Sequence, residues 1–231
     1  TGLQPEVDRV IEVAAILFKD GEPADRYTTL VNPGIPIPEL IEKITGITNN
    51  MVADAPSESS IIDEFFQFIG DIPIVAHNTP FDLAYLEAMA DRHDKKLPDR
   101  KYYDTLTLSR GMLYFQPAHN LSAVSDYFSL STEGAHRAES DTENCGQIFV
   151  ELIEEASSYS LDLISRIVAL LKPFQVHNKE LFINLANALT KTGDLKNGLT
   201  DSKNQKPTNI NDFIHEGKKD ICNRNSTEVF G

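Results

Sequence analysis

The sequence predicts an α/β domain with a mixed sheet, and two observations indicate it. Residues 9–18 are nearly all apolar and rich in valine and isoleucine, and residues 26–31 form a returning strand after the turn signal Asp20-Gly21. Short apolar strands then alternate with segments of helical periodicity. Initial antiparallel strands followed by parallel βα units are typical of a mixed sheet flanked by helices.

Apolar periodicity predicts the elements that follow. Residues 38–51 favour short helical turns that contain Gly46. Residues 58–69 predict a helix, because five apolar side chains share one face: Ile61, Ile62, Phe65, Phe66 and Ile69. Further strands are expected at 72–76 and 101–105, the second followed directly by a helix, and further helices at 80–93, 121–128, 137–157, 161–171 and 179–189.

Composition divides the chain into three segments. Residues 1–157 contain the alternating strands and helices and form the main domain, and residues 158–189 add C-terminal helices. Residues 190–231 are rich in Asn, Lys, Thr, Gly and Ser, which predicts a linker or the start of a following region.

The chain shows no sign of export. It has no apolar run of about 18 residues and no signal peptide at its first residues, so we expect no membrane span. Cys145 falls in a helical apolar pattern and Cys222 in a polar tail, which indicates two free thiols. We therefore expect a cytoplasmic protein.

The charge is strongly acidic and unevenly distributed. Residues 1–189 carry 14 Lys and Arg against 29 Asp and Glu, a net charge of −15, and residues 190–231 carry 7 against 6, a net charge of +1. Such a domain does not bind polyanions through bulk electrostatics. A nucleic-acid substrate would need divalent cations and contact over only a few nucleotides, whereas the simpler interpretation is that the charge serves solubility.

Two motifs place a histidine five residues before an aspartate at the start of a predicted helix. The first runs from His77 to Asp82 and the second from His136 to Asp141. Thr79 suits an N-cap and acidic residues favour a helix start, so capping alone could explain either motif. Together they favour chemistry, because two carboxylates with a nearby imidazole suit metal-assisted phosphoryl hydrolysis. A third acid, Asp104, more simply caps the helix after it.

The motifs resemble the DEDDh branch of the DnaQ-like (RNase T-like) 3′→5′ exonucleases over about residues 1–157. The resemblance rests on five strings in the family's order: Thr1-Gly2-Leu3, Ile44-Thr45-Gly46-Ile47, His77-Asn78-Thr79-Pro80-Phe81-Asp82, Tyr103-Asp104-Thr105-Leu106 and His136-Arg137-Ala138-Glu139-Ser140-Asp141. It implies an RNase H-like fold and an exonuclease domain that acts on single-stranded DNA or on frayed 3′ ends. In some bacteria such a domain is fused to a DinG-type helicase or lies within the polymerase PolC, which implies a partner of either kind.

The resemblance also implies roles for individual residues. In the family, two Mg²⁺ or Mn²⁺ ions about 4 Å apart straddle the scissile phosphate. Asp82 and Asp141 would be the metal ligands, with Asp141 on the ion that activates water, and His136 would be the general base. Substrate contacts would come from the first residues and the first histidine motif: Thr1, Gly2, Leu3, His77, Asn78 and Phe81.

One family feature is missing from the sequence. The Asp-x-Glu pair that normally holds both metals would lie immediately before Thr1, on a central strand of the family sheet. We therefore expect a truncated chain whose sheet lacks its first catalytic strand and which binds metal poorly and is inactive. The alternative is a non-catalytic module that binds nucleic-acid ends or proteins. An unrelated acidic metal-binding domain is hard to reconcile with five ordered strings.

Overall fold

A computed structural model describes residues 1–131, 136–176 and 178–197. The chain divides into two compact units, Thr1–Leu152 and Ile153–Gly231. The elements, in chain order, are β1 (Glu12–Lys19), β2 (Glu22–Leu30), α1 (Glu39–Thr45), α2 (Asn49–Val52), α3 (Glu58–Ile69), β3 (Ile74–Ala76), α4 (Thr79–Arg92), β4 (Tyr102–Asp104), α5 (Thr105–Met112), α6 (Leu121–Tyr127), α7 (Ala138–Ser157), α8 (Leu161–Leu171) and α9 (Lys179–Asn197).

The strands form one antiparallel and one parallel pair. β1 and β2 are antiparallel and are joined by a turn at Asp20 and Gly21, which have φ angles of 59° and 86°. β3 and β4 are parallel, and Ala76 pairs with Asp104 at their carboxyl ends. The predicted α/β class, with antiparallel strands first and parallel βα units after them, is confirmed.

The pairing differs in one respect from the single mixed sheet that the sequence predicts. Within the described ranges, β1 pairs only with β2 and β3 only with β4, so the structure shows two separate two-stranded sheets. Most residues of β1 and all residues of β3 are half-buried. The expected missing strand stays a prediction.

The core of the first unit lies where the hairpin packs on α3 and α4. It joins Val13 and Val31 of the hairpin to Met89 of α4 and to the predicted apolar face of α3, where Ile61, Ile62, Phe65 and Ile69 are buried. Phe66 packs at the margin of this cluster. A second cluster anchors α1 and α2, and Gly46 ends α1 at a φ of 70°. The core therefore fixes α4, the helix that carries the first histidine motif.

The later helices follow the prediction closely except at the end. In α7 the expected apolar face is buried at Cys145, Ile148, Leu152 and Ile153. The last helix continues past residue 189 to Asn197, and within it the Thr190 hydroxyl donates to the Ala186 carbonyl. Residues 198–231, with Cys222, lie outside the described ranges, and the predicted linker or following region over 190–231 stays a prediction. No helix that the structure describes is long and apolar enough to cross a membrane.

Candidate active site

The first histidine motif follows β3 directly and turns the chain into α4. Asn78, not Thr79, is the N-cap residue, with φ 78° and ψ 51° and no capping bond from its side chain. Its backbone N–H instead donates to Asp104 Oδ1 at 3.0 Å. The Thr79 hydroxyl is fully buried and donates to the Tyr103 carbonyl at 2.8 Å, so it ties α4 to β4 and does not cap the helix. Asp82 then lies in the first turn.

Asp104 caps α5, as the sequence predicts. Its carboxylate accepts from the Leu106 N–H at 3.0 Å and from the Thr107 hydroxyl at 2.7 Å. Together with the Asn78 N–H, these donors satisfy a side chain whose residue is only 8% exposed. Asp104 therefore fixes the start of α4 relative to the end of β4.

The second histidine motif opens α7. His136 is exposed and has a left-handed φ of 70°, and its N–H donates to Asp141 Oδ1 at 3.3 Å. The Asp141 N–H donates to the Arg137 carbonyl at 3.0 Å, which begins the helix. The histidine and the aspartate of this motif are therefore held in one turn.

The two motifs converge around Cys145, a buried free thiol of α7. Burial, with smaller contributions from the negative charges of Asp82, Asp104 and Asp141, raises the pKa of the Cys145 thiol to about 12, against the lowering effect of its hydrogen bond with Thr105. Cys145 Sγ is 3.6 Å from Thr105 Oγ1, next to Asp104, and the Asp104 carboxylate accepts from the Asn78 N–H at the start of α4. Asp141 lies one helical turn before Cys145 on α7. The structure thus brings Asp82 and Asp141 to the same region, at the carboxyl ends of β3 and β4.

His77 lies next to this region, and both of its ring nitrogens make hydrogen bonds. Nδ1 is 2.9 Å from Thr105 Oγ1, and Nε2 is 2.8 Å from the His119 carbonyl oxygen. Thr105 Oγ1 is in turn 3.6 Å from Cys145 Sγ. Burial lowers the pKa of His77, which favours the neutral ring. These contacts make His77 a link between neighbouring elements, and its expected contact with substrate stays a prediction.

The first residues of the chain lie against α4. The Tyr85 hydroxyl donates to the Gly2 carbonyl at 2.9 Å, and the Tyr85 ring packs on Phe81 with a centroid distance of 5.0 Å. Phe81 is 40% exposed and Leu3 is 76% exposed, whereas Thr1 is buried. Two predicted substrate residues, Leu3 and Phe81, therefore present apolar surface to solvent, and Gly2 and Phe81 both contact Tyr85, one turn from Asp82.

The surroundings of Asp82 and Asp141 disfavour ionisation of their carboxyl groups. Desolvation, with a smaller contribution from the charge of Asp104, raises the pKa of Asp82 from 3.8 to about 6, against the lowering effect of its own N–H. Desolvation likewise raises the pKa of Asp141, against the lowering effect of the His136 N–H and charge. Negative charge concentrated in this way favours a bound cation.

Carboxylate oxygens are the ligands that Mg²⁺ and Mn²⁺ prefer. Asp82 and Asp141 supply such oxygens, but the described residues contain no group of three or more His, Cys, Asp or Glu side chains that could hold a metal ion. The two carboxylates suit a hard divalent cation, but they do not form a group of three or more ligand side chains among the described residues.

Glu12 has a buried polar side chain and was not predicted to belong to the site. It lies in a segment predicted as an apolar strand, yet its carboxylate accepts from Arg137 and from the Ala138 N–H at the start of α7. A single charged residue inside an apolar run was the available signal, because a buried carboxylate needs a partner. The identity of that partner depends on the fold.

The RNase T exonuclease family matches residues 1–149, the part of the chain that carries both histidine motifs. The chain belongs to this exonuclease family. Among relatives of the family, the chain is 31% identical over 188 residues to the 3′-5′ exonuclease DinG of Bacillus subtilis, which covers 80% of this chain and 20% of that protein. It is 32% identical over 155 residues to the DNA polymerase III subunit epsilon of Aquifex aeolicus, covering 67% of this chain and 77% of that one.

A longer relative shows the same pattern. The chain is 30% identical over 191 residues to the PolC-type DNA polymerase III of Caldanaerobacter subterraneus, which covers 83% of this chain but 14% of that protein. The chain thus spans a fifth or less of the length of the DinG and PolC relatives that it matches. The resemblance to DnaQ-like exonucleases is confirmed.

Solved structures show the same fold. A structure of Exonuclease X in complex with 5′ overhanging duplex DNA matches with a TM-score of 0.53 and 24% identity, covering 69% of this chain and 89% of that one. A structure of Exonuclease I matches with a TM-score of 0.60 and 16% identity, covering 74% and 41%. The predicted RNase H-like exonuclease fold is therefore confirmed.

Proposed function

We propose that this chain is a 3′→5′ exonuclease domain that releases nucleotides from single-stranded DNA or from the frayed 3′ end of a duplex. The observation that supports this most strongly is that contacts through Asp104 and Thr105 bring together the helix starts that carry Asp82 and Asp141, with His136 in the turn that holds Asp141. The acidic charge of the domain favours contact with a short 3′ end over a long duplex.

Each residue has a part in this proposal. Asp82 and Asp141 would hold divalent Mg²⁺ or Mn²⁺, which when bound neutralises phosphate charge and activates water. His136 is the general base, since its exposed ring lies in the same turn as Asp141 and can accept the proton of an attacking water. Phe81 and Leu3 offer apolar surface to the terminal base, and the backbone of Thr1, Gly2 and Asn78 lies near them.

The proposal includes low activity for the chain by itself. Two carboxylates are fewer than the four of the family site, so we expect weak metal binding and little turnover. We further propose that the domain works as part of a longer DNA-processing protein, since the DinG and PolC relatives are several times longer than the region matched.

The test compares this chain with an extended chain, defined here as the same sequence preceded by a strand that carries Asp-x-Glu. A 5′-labelled single-stranded oligonucleotide should be shortened stepwise from its 3′ end by the extended chain with Mg²⁺ or Mn²⁺, and not with EDTA. Asp141→Asn should abolish this activity, whereas the exposed Asp162→Asn should retain it. Undiminished activity in EDTA would refute the metal mechanism.

A second candidate is a module that binds nucleic-acid ends or proteins without catalysis. The lack of a three-ligand metal cluster among the described side chains favours it. It predicts that the extended chain, although folded, binds a 3′ end equally well with and without divalent cations and never shortens it.

A further inference from the structure

Glu12 is a buried carboxylate at the start of β1. Its side chain is 5% exposed, and its strand neighbours Ile11 and Val13 belong to the apolar core. An ionised carboxylate in such a place is unfavourable unless charged or hydrogen-bonding partners compensate for the lost water. The partners of Glu12 therefore indicate what the residue does.

All of these partners lie at the start of α7. Oε1 accepts from Arg137 Nη2 at 2.6 Å and from Arg137 Nε at 3.1 Å. Oε2 accepts from the Ala138 N–H at 2.8 Å. Ala138 is the first residue of α7, and N–H groups in a first helical turn have no acceptor within the helix. Glu12 thus supplies, from a distant strand, the acceptor and the negative charge that this helix start favours.

The first turn of α7, which Glu12 contacts, also carries the proposed catalytic residues. His136 and Asp141 flank Arg137 and Ala138, and the His136 N–H bonds to Asp141 in the same turn. The exposed ion pair of Arg26 with Glu139, at 2.7 Å, also links β2 to α7, but pairs with 49% and 39% exposure contribute little. The buried contact of Glu12 with Arg137 and Ala138 is therefore the one that can fix the geometry of the first turn of α7.

We propose that Glu12 is a positioning residue of the exonuclease site: it fixes the first turn of α7 and thereby the placement of His136 and Asp141. The proposal rests on the proposed function for its catalytic part. Misplacing reacting groups by about 1 Å can reduce a rate about a hundredfold, so a residue that never touches substrate can control turnover.

Glu12→Gln is the decisive substitution. A carboxylate accepts on both oxygens, whereas an amide has one acceptor and one donor group, so either Arg137 or Ala138 must lose its partner. Glu139→Gln is the matched control, because it removes a carboxylate of the same helix turn without changing the buried contact. Arg137→Gln removes the other partner of the same contact. Because the Arg137 side chain is 43% exposed, this substitution leaves no cavity in the core.

The first readout needs no activity. Amide hydrogen exchange on the chain itself should speed up about tenfold or more at residues 138–141 in Glu12→Gln and in Arg137→Gln. In Glu139→Gln it should stay within about twofold of wild type. Equal exchange in Glu12→Gln and Glu139→Gln would overturn the proposal.

The second readout is turnover in the extended chain. Glu12→Gln should lower kcat about tenfold or more with KM changed by less than about twofold, and the Glu12→Gln/Arg137→Gln pair should lose less than the product of the two single effects. Faster exchange with unchanged kcat would show that the turn is held but does not position the chemistry, which overturns the proposal. If no wild-type form of the chain has nuclease activity, the proposed function fails, and the exchange result still decides whether Glu12 fixes the turn.

Discussion

Asp82 should make the folded chain less stable as pH rises in the absence of metal. The folded-state pKa of about 6 lies above the ordinary value of 3.8, because desolvation and the charge of Asp104 oppose ionisation. Between about pH 4 and about pH 6 the folded chain therefore holds more protons than the unfolded chain, and the free energy of unfolding falls as pH rises through this window.

The magnitude depends on how far water reaches the carboxylate. Raising a pKa from 3.8 to about 6 corresponds to about 3 kcal/mol for a group shielded from water. Asp82 as a residue is exposed, although atoms of the fold crowd its carboxyl group, so solvent screening reduces the expected cost to about 1 kcal/mol. Asp82→Asn, which cannot ionise, should remove this cost.

Urea denaturation in EDTA measures the effect. Asp82→Asn should change the free energy of unfolding little at about pH 4 and raise it by about 1 kcal/mol at about pH 7. Asp162→Asn, at a carboxylate that is 73% exposed, is the control and should show no such pH-dependent gain. An equal effect of Asp82→Asn at both pH values would refute the assignment of a raised pKa to Asp82.

Three further substitutions test the site and its support. His136→Ala in the extended chain should lower kcat about a hundredfold or more while Mn²⁺ affinity, measured by calorimetry, changes little, and equal losses in both would contradict the base role. Gly146→Ala should destabilise the chain by about 1 kcal/mol in urea, since its Cβ would collide with the Phe18 ring and overpacking outweighs helix propensity. Gly111→Ala, whose Cβ meets open space, is its control and should be neutral or stabilising. Thr79→Val should cost about 1 kcal/mol in the same assay, because it removes the buried hydroxyl that donates to the Tyr103 carbonyl.

Local sequence patterns predicted the helices well because burial of one face leaves a period in the sequence. The α3 helix has the predicted bounds, and its predicted face forms the core. The two histidine motifs were also found, since they are short and each opens a helix. Local patterns were less informative at Asn78 and Thr79, where the left-handed N-cap and the bond to β4 depend on contacts across the fold.

The parts that could not be predicted involve residues far apart in the chain. The separation of the strands into two pairs depends on which edges meet, and periodicity within a strand carries no such information. Glu12 acquires its role only through Arg137 and Ala138, 125 and 126 residues later. His77 likewise had to be placed before its two ring partners could be identified.

The central claim is that Asp82 and Asp141 face one divalent-cation site. Titrating Mn²⁺ into the ¹⁵N-labelled chain tests it directly, because the ion broadens nearby amide signals. The signals of Asp82 and Asp141 should broaden together at the same Mn²⁺ concentration, with those of His136 and Cys145, and Asp141→Asn should weaken the broadening at Asp82 as well. Broadening at only one of the two aspartates, or first at acidic surface residues such as Asp162, would contradict a shared site.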